Sequence, residues 1–375
     1  MKLAAIHCWV SPGGALEVLK DLIKEENRIS GFSDIKIFTS YSEIETILID
    51  NKKIKIITAI PKRLNIFFKR NTKKKIPILG QIFDYRNLMF FYPLLMKIIS
   101  RKIKRYKPNK ILISSFAIAK NIQQCKTISK ENIDTTLYLH SPMQYIRSHS
   151  QEYQQKLTGR KGRIFRKITP RLQKRDLQYT KYDKVYSNST YTKNLAKKIY
   201  NIESEVKYPK INQTFLNENI IKEPQEYIVC VGRIVKFVRE IDLIVKAFNK
   251  LNYPLIIIGS GPDEKEIKKL AQKNITFTGR KDPITMIDII KNAKGTINMT
   301  KESFGISTAE CLCLGVPVLG YNEGATPELV DKESGILIKN KTDNDIITAF
   351  KLFISTKRDR NKIAARAKTI FIQKQ

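Results

Sequence analysis

The stretch Tyr227-Ile228-Val229-Cys230-Val231-Gly232-Arg233 decides the fold: an apolar run ends in a glycine and a cation, and a helical pattern over 242–249 follows. The phrase then recurs as Leu255-Ile256-Ile257-Ile258, closed by Gly259-Ser260-Gly261-Pro262. Short apolar runs bounded by turn residues read as buried strands, and the 3.6-residue periods between them as helices. The alternation continues as helix 265–272, strand 275–278, helix 285–292, strand 295–299, helix 306–314 and strand 316–320. Strands that alternate with helices make a parallel, doubly wound sheet.

Moving outward, the first half carries the same scheme. A strand over 3–10 meets Ser11-Pro12-Gly13-Gly14 and then a helix over 15–24, with Leu16, Leu19, Leu22 and Ile23 on one side. Further strands are expected at 35–39, 54–57, 111–114, 136–139 and 184–187. A length of 375 residues suits two domains, each able to bury its own core. The expected limits are 1–207 for the first, a polar strandless linker at 208–226, 227–355 for the second, and a closing helix at 356–375 that can return to the first domain. In open α/β sheets ligands settle beyond the carboxyl ends of the strands, where the Gly13-Gly14, Gly232-Arg233 and Gly259 loops fall.

Composition is that of a globular chain, with 42% hydrophobic and 28% charged residues. Lys and Arg number 69 against 35 acidic residues, a net charge of +34 that argues for a negative partner: nucleic acid, anionic lipid or a phosphate-bearing substrate. The Lys-, Ile- and Asn-rich composition offers a second explanation, a bias of the whole chain. Five cysteines, Cys8, Cys125, Cys230, Cys311 and Cys313, lack metal-ligand spacing and read as small buried hydrophobes of a reducing compartment. The N-terminus reads as a strand without a signal-peptide apolar region. The apolar stretch 76–100 is interrupted by Asp84, Arg86, Asn87 and Lys97 and does not span a membrane. Its Phe83, Leu88, Phe90, Phe91, Tyr92, Leu94 and Leu95, between Lys73-Lys74-Lys75 and the cations at 101–105, suit either a helix lying on anionic lipid or a core helix with a solvated basic end.

The chemistry concentrates in Lys301-Glu302-Ser303-Phe304-Gly305-Ile306-Ser307-Thr308-Ala309-Glu310. Two carboxylates eight residues apart bracket a glycine turn, and Ile306, Ala309, Leu312 and Leu314 beyond it have the spacing of a buried helix. A turn that opens a helix presents unpaired N–H groups and positive dipole to a phosphate, and Gly305 admits close backbone approach.

With Gly315-Val316-Pro317-Val318, Gly324-Ala325-Thr326-Pro327-Glu328 and Glu333-Ser334-Gly335-Ile336-Leu337 following in order, this segment resembles the E-x7-E motif of retaining glycosyltransferases of family 4. The resemblance extends more weakly to Pro12-Gly13-Gly14, to Leu139-His140-Ser141-Pro142-Met143-Gln144-Tyr145 and to Tyr186-Ser187-Asn188-Ser189. It implies the GT-B fold, two facing Rossmann-like domains, and transfer of a sugar from a nucleotide with retention of configuration. Glu310 would hold the ribose hydroxyls. Glu302, with the backbone of Ser303, Phe304 and Gly305, would hold the transferred sugar, and Ile306 would belong to the donor site. Arg233, beside Gly232, would fork onto the diphosphate. The family's following Lys corresponds to Arg239, with Lys236 as competitor. The base would lie near Gly279 and Arg280, Gly14 would approach the donor, and His140 would lie beside the reacting sugar.

The leaving diphosphate would take the acceptor proton, so that Glu302 orients and does not act as a base. His140 ends a strand ahead of Ser141-Pro142, which favours a cleft-facing role over a structural one. No Gly-x-Ser-x-Gly accompanies it. Asp343-Asn344-Asp345 has the letters of a metal-binding pattern but precedes an apolar-periodic run and reads as helix capping. No metal and no other cofactor is expected. The His-Ser-Pro-Met-Gln-Tyr variant resembles family members that use GDP-mannose, which implies that donor, with a UDP-sugar as runner-up, and the acceptor is expected to be a lipid-linked glycan of a cell-surface polysaccharide. The expected location is cytoplasmic, peripheral on the inner face of the plasma membrane. Two other readings are a degenerate transferase acting as partner subunit, suggested by Arg239 and by a short closing helix, and a basic nucleic-acid binder. The latter has no binding motif and leaves Glu302 and Glu310 unexplained.

Overall fold

A computed structural model of the chain describes residues 1–11, 13–61, 91–124, 133–147, 150–156, 159–178 and 180–373. It divides into two compact units, Met1–Asn188 with Thr192–Lys207, and Ser189–Tyr191 with Tyr208–Gln375.

The first unit is built on β1 (Lys2–Val10), β2 (Asp34–Ser42), β3 (Thr46–Ile49), β4 (Lys52–Thr58), β5 (Lys110–Ser115), β6 (Asp134–Leu139), β7 (Lys184–Ser187) and β8 (Glu205–Val206). Their order is β3-β4-β2-β1-β5-β6-β7-β8, parallel except for the β3–β4 pair. Leu3, Ala4, Ala5, Ile6 and Cys8 of β1 are all fully buried, as a strand covered on both faces requires. The sequence reading had the 54–57 strand but not its antiparallel partner. The pair is joined at Asp50 and Asn51, whose φ of 46° and 64° make the two-residue left-handed hairpin turn without the glycine that usually signals it. The first helix, Gly14–Ser30, outruns the expected 15–24 because polar Glu25, Glu26 and Asn27 continue it until Gly31 (φ 60°) closes it. Helix Tyr92–Tyr106 turns Leu95, Met96, Ile99 and Ile103 into the core and leaves Arg101, Lys104 and Arg105 exposed. That is the core-helix alternative for this part of the aromatic and basic stretch. Residues 62–90, with Lys73-Lys74-Lys75 and Phe83, lie outside the described residues, as does Cys125.

The second unit carries β9 (Gln225–Val231), β10 (Leu255–Ile258), β11 (Ile275–Gly279), β12 (Ala293–Asn298), β13 (Val318–Tyr321) and β14 (Gly335–Ile338), all parallel in the order β11-β10-β9-β12-β13-β14. Ile228, Cys230, Ile257, Ile297 and Leu319 meet Phe248 and Phe350 in its core, the two rings edge to face at 5.4 Å. Strand order reverses between β9 and β12, so their carboxyl ends flank the crevice where such sheets hold ligands. The last strand, β14, falls on the Glu333-Ser334-Gly335-Ile336-Leu337 motif, for which no strand was expected; Gly335 lets it lie against β13, since a Cβ there would sit 2.1 Å from the Val318 carbonyl oxygen. The stretch 208–226 is counted with this unit and includes a short helix, Gln213–Leu216, that buries Phe215 and Leu216. Helix Arg360–Gln373 packs along helix Ile306–Cys313, and the Arg360 guanidinium donates to the carbonyls of Gly315 (3.0 Å), Ala293 (3.2 Å) and Lys291 (2.8 Å).

Candidate functional site

Three strand-end loops of the second unit are stitched together through backbone. Gly232 N–H donates to the Ile258 carbonyl (3.0 Å), Ile234 N–H to Ser260 (3.2 Å) and Gly259 N–H to Gly279 (2.8 Å). The approach is so close that a Cβ on Gly259 would lie 1.9 Å from the Gly232 carbonyl oxygen, and one on Gly261 the same distance from that of Ile234. This brings Gly232, Arg233, Gly279 and Arg280 to one edge of the sheet. Arg233 and Arg280 are both exposed there, and among the described residues no carboxylate pairs with either. They are free to meet an anion.

The two candidates for the second cation part company on the short helix Lys236–Arg239. Lys236 pairs with Glu266, which raises its pKa, and its backbone N–H donates to the Asp263 carboxylate at 2.9 Å. Arg239 instead donates through Nη1 to Glu302 Oε1. Arg239, not Lys236, stands at the acidic loop.

Glu302 is held by its backbone and by both carboxylate oxygens. It bridges to Gly324, and its carbonyl accepts from Ala325 N–H at 2.9 Å. Gly324 (φ 75°) is required, because a Cβ there would lie 2.4 Å from that carbonyl oxygen. Oε2 accepts from Asn298 Nδ2 at 3.1 Å, and the same amide group donates to Thr308 Oγ1 at 3.0 Å. Asn298 Oδ1 in turn accepts from Thr300 N–H at 3.0 Å. Asn298 was missed as a site residue; the sequence shows it only as the sequon Asn298-Met299-Thr300. The signal that finds it is positional, a polar side chain ending a buried strand at the switch point.

Gly305 (φ 94°) opens helix Ile306–Cys313, whose first intrahelical bond runs from Ala309 N–H to the Gly305 carbonyl at 3.0 Å. No side chain caps this end, so the first N–H groups are left for a ligand or water. Phe304 contributes only its backbone: its ring is buried against Tyr208 (5.1 Å) and Phe371 (6.1 Å). Ser303 and Ile306 are half-buried beside it. Glu310 lies on the same helix, half-buried and without a hydrogen-bond partner among the described residues. Desolvation pushes its pKa up to about 7.

The remaining candidates belong to the first unit. Gly14 is exposed at the start of helix Gly14–Ser30. His140 follows β6 and is more buried than a cleft-facing side chain was expected to be, at 8% exposure, with Nε2 2.8 Å from Ser114 Oγ. Burial, then neighbouring His7, lowers its pKa to about 3, so the ring is neutral at pH 7.

Asp343 and Asp345 sit in the first turn of helix Asp343–Ser355, with Thr342 as its cap and Asp343 paired to Lys250 at 2.8 Å. Among the described residues no group of three His, Cys, Asp or Glu could hold a metal ion, and no helix is long and apolar enough to cross a membrane. Cys8, Cys230, Cys311 and Cys313 are buried thiols.

Residues 212–370, most of the second unit, match the family Glycosyl transferases group 1. The chain is 26% identical over 142 residues to N-acetyl-alpha-D-glucosaminyl L-malate synthase of Bacillus anthracis, a match covering 35% of this chain and 37% of that protein. It therefore spans about a third of the length of the curated relatives it matches. In structure it resembles sucrose-phosphate synthase of Thermosynechococcus elongatus, with TM-score 0.71 and 15% identity, over 99% of this chain and 94% of that one. It also resembles Anabaena Alr3699/HepE in complex with UDP and glucose, with TM-score 0.64 and 14% identity, over 100% and 95%. The α/β fold, with a sheet in each unit, is the GT-B fold.

Proposed function

We propose that this chain is a nucleotide-sugar-dependent glycosyltransferase that retains anomeric configuration without a metal. The observation that carries the reading is the meeting, at the switch point of the second sheet, of Arg239 with Glu302 beside a helix N-terminus that no side chain caps, with Glu310, a carboxylate without a hydrogen-bond partner among the described residues, one turn further along that helix. Cations and free N–H groups suit a diphosphate, and carboxylates suit sugar hydroxyls.

Arg233, Arg239 and the first-turn amides would neutralise the diphosphate as it departs. Glu310 would accept from the ribose hydroxyls, and Gly279 with Arg280 would face the base. Glu302 would orient the transferred sugar together with the backbone of Ser303, Phe304 and Gly305. Its pairing with Arg239 and Asn298 supports an orienting role over that of a base. A phosphate oxygen of the leaving group would then take the proton of the attacking hydroxyl on the same face. His140 and Gly14 would serve the reacting sugar from the first unit. GDP-mannose is the first donor to test; the UDP and glucose bound to the Anabaena protein support a UDP-sugar as the second. A charge of +34 supports work at the cytoplasmic face of an anionic membrane, on a lipid-linked glycan. A panel of GDP- and UDP-sugars, with membrane extract as acceptor and NMR of the product's anomeric centre, tests donor, acceptor and stereochemistry together. Absence of turnover with every donor would overturn it.

Two consequences can be measured separately. Glu310 holds its proton in the folded protein between the ordinary glutamate value of 4.5 and about 7, so its contribution to stability falls as pH rises through that window. Hydroxyls that donate to the carboxylate favour its charged form and lower its pKa. Nucleotide binding at pH 6 is therefore expected to release up to about one proton, and affinity to rise between pH 5.5 and 7.5. Calorimetry in buffers of different ionisation enthalpy reads the proton directly, and Glu310→Gln is expected to abolish its release. Asn298→Ala frees one oxygen of Glu302 and is expected to lower kcat/KM about 10- to 100-fold, the worth of one hydrogen bond to a charged group, with nucleoside diphosphate affinity unchanged.

A further inference from the structure

Three adjacent strands of the first unit bring His7, Ser114 and His140 into a row. His7 on β1 stands in register with Ser114 on β5, and His140 follows β6, its N–H bonded to the Ser115 carbonyl at 2.8 Å. Ser114 Oγ lies 3.0 Å from His7 Nδ1 and 2.8 Å from His140 Nε2. All three are buried, walled by Phe116, edge-on to the two imidazoles at 5.0 and 6.1 Å, and by Tyr138 at 4.9 Å from His140. Burial also lowers the His7 pKa to about 4, so both rings are neutral at pH 7 and carry one N–H each.

One hydroxyl proton must then serve two ring nitrogens. The Ser114 backbone raises the His7 pKa, as an acceptor beside a ring N–H does, and Nδ1 is the nitrogen turned to Ser114, which favours a proton there. With His7 donating, the Ser114 hydroxyl is left to donate to His140 Nε2, and the ring proton of His140 goes to Nδ1. We propose that Ser114 and His7 are positioning residues that hold His140 as its Nδ1–H tautomer, so that His140 offers a hydrogen-bond donor, and not a base, to a ligand. Among the described residues no protein group accepts from that N–H. The part His140 plays in sugar transfer rests on the function proposed above; the tautomer does not.

Long-range proton–nitrogen NMR of the full chain labelled with 15N-histidine, at pH 7 and without donor, tests the proposal. The His140 signals are assigned by their loss in His140→Asn. A pyrrole-type Nδ1 and a pyridine-type Nε2 are expected in the wild type. A mixture is expected in Ser114→Ala and in His7→Phe, and the single tautomer is expected to return in Ser114→Thr. An Nε2–H or mixed wild type, or a single tautomer that survives both substitutions, overturns it. Two variants guard against one failing to fold. If the donor panel gives turnover, Ser114→Ala is expected to lower kcat about 10- to 100-fold with KM for the donor within about twofold, and Ser114→Thr to restore it. If no donor turns over, the proposed function fails while the tautomer result stands.

Discussion

Glu302→Ala is expected to lower kcat/KM for sugar transfer by about 10²- to 10³-fold, the scale of losing one preorganised group at a reacting centre. Glu302 is held from three directions: Arg239 on one carboxylate oxygen, Asn298 on the other, and the Gly324 loop on its backbone. A side chain fixed this firmly reaches the transition state without reorganising. Removing it also releases Arg239, which stays free to meet phosphate. Nucleoside diphosphate affinity, measured by calorimetry, is therefore expected to stay at the wild-type level or rise while turnover collapses. Glu302→Gln keeps the shape and the Asn298 contact with one oxygen, and its rate is expected to lie between the two. A Glu302→Ala protein that turns over within about threefold of wild type would remove Glu302 from the site, and with it the assignment of the sugar subsite.

Gly259→Ala is expected to destabilise the second unit by about 3–5 kcal/mol, which puts it among the most damaging single substitutions. The added Cβ would meet the Gly232 carbonyl oxygen at 1.9 Å, and φ at position 259 is 141°, a conformation that side chains avoid. Neither partner can step aside cheaply, because both belong to backbone that bonds neighbouring strand ends. The same separation of loops would shift Gly232, beside which the Arg239 guanidinium lies, and so disturb the Arg239–Glu302 pair. Urea unfolding followed by tryptophan-independent far-UV dichroism reads the stability, and nucleotide affinity reads the site. Unfolding within about 0.5 kcal/mol of wild type would show that the two loops are not in the contact described.

Much of the fold was legible because parallel sheets bury their strands on both faces. Runs such as Ile228-Val229-Cys230 and Leu255-Ile256-Ile257-Ile258 carry their environment in their composition, and Gly232, Gly259 and Gly305 mark where the chain must turn or come close. What stayed hidden was local structure specified by neighbours. β3 needs its hairpin partner and a left-handed Asp-Asn turn, β14 needs β13, and the first helix runs on through polar residues that show no period. The pattern around Glu302 and Glu310 put one carboxylate before the Gly305 turn and the other on the helix beyond it, since the glycine and the apolar period are local signals.

Pairing across sequence distance was beyond any such reading. Arg239 and Lys236 differ by three positions in a chain rich in cations, and only the packed helix shows one turned to Glu302 and the other to Glu266. Asn298 looks like a sequon until β12 ends beside Glu302. Ser114 looks like any strand serine until two imidazoles, 107 positions before it and 26 after it, close on its hydroxyl. The sequence by itself determined the strand and helix scheme and the helix entrance that carries the acidic pair, because periodicity and glycine placement are local. Only the tertiary structure decided which cation meets Glu302 and which groups hold His140, because hydrogen bonds are set by distances that folding alone creates.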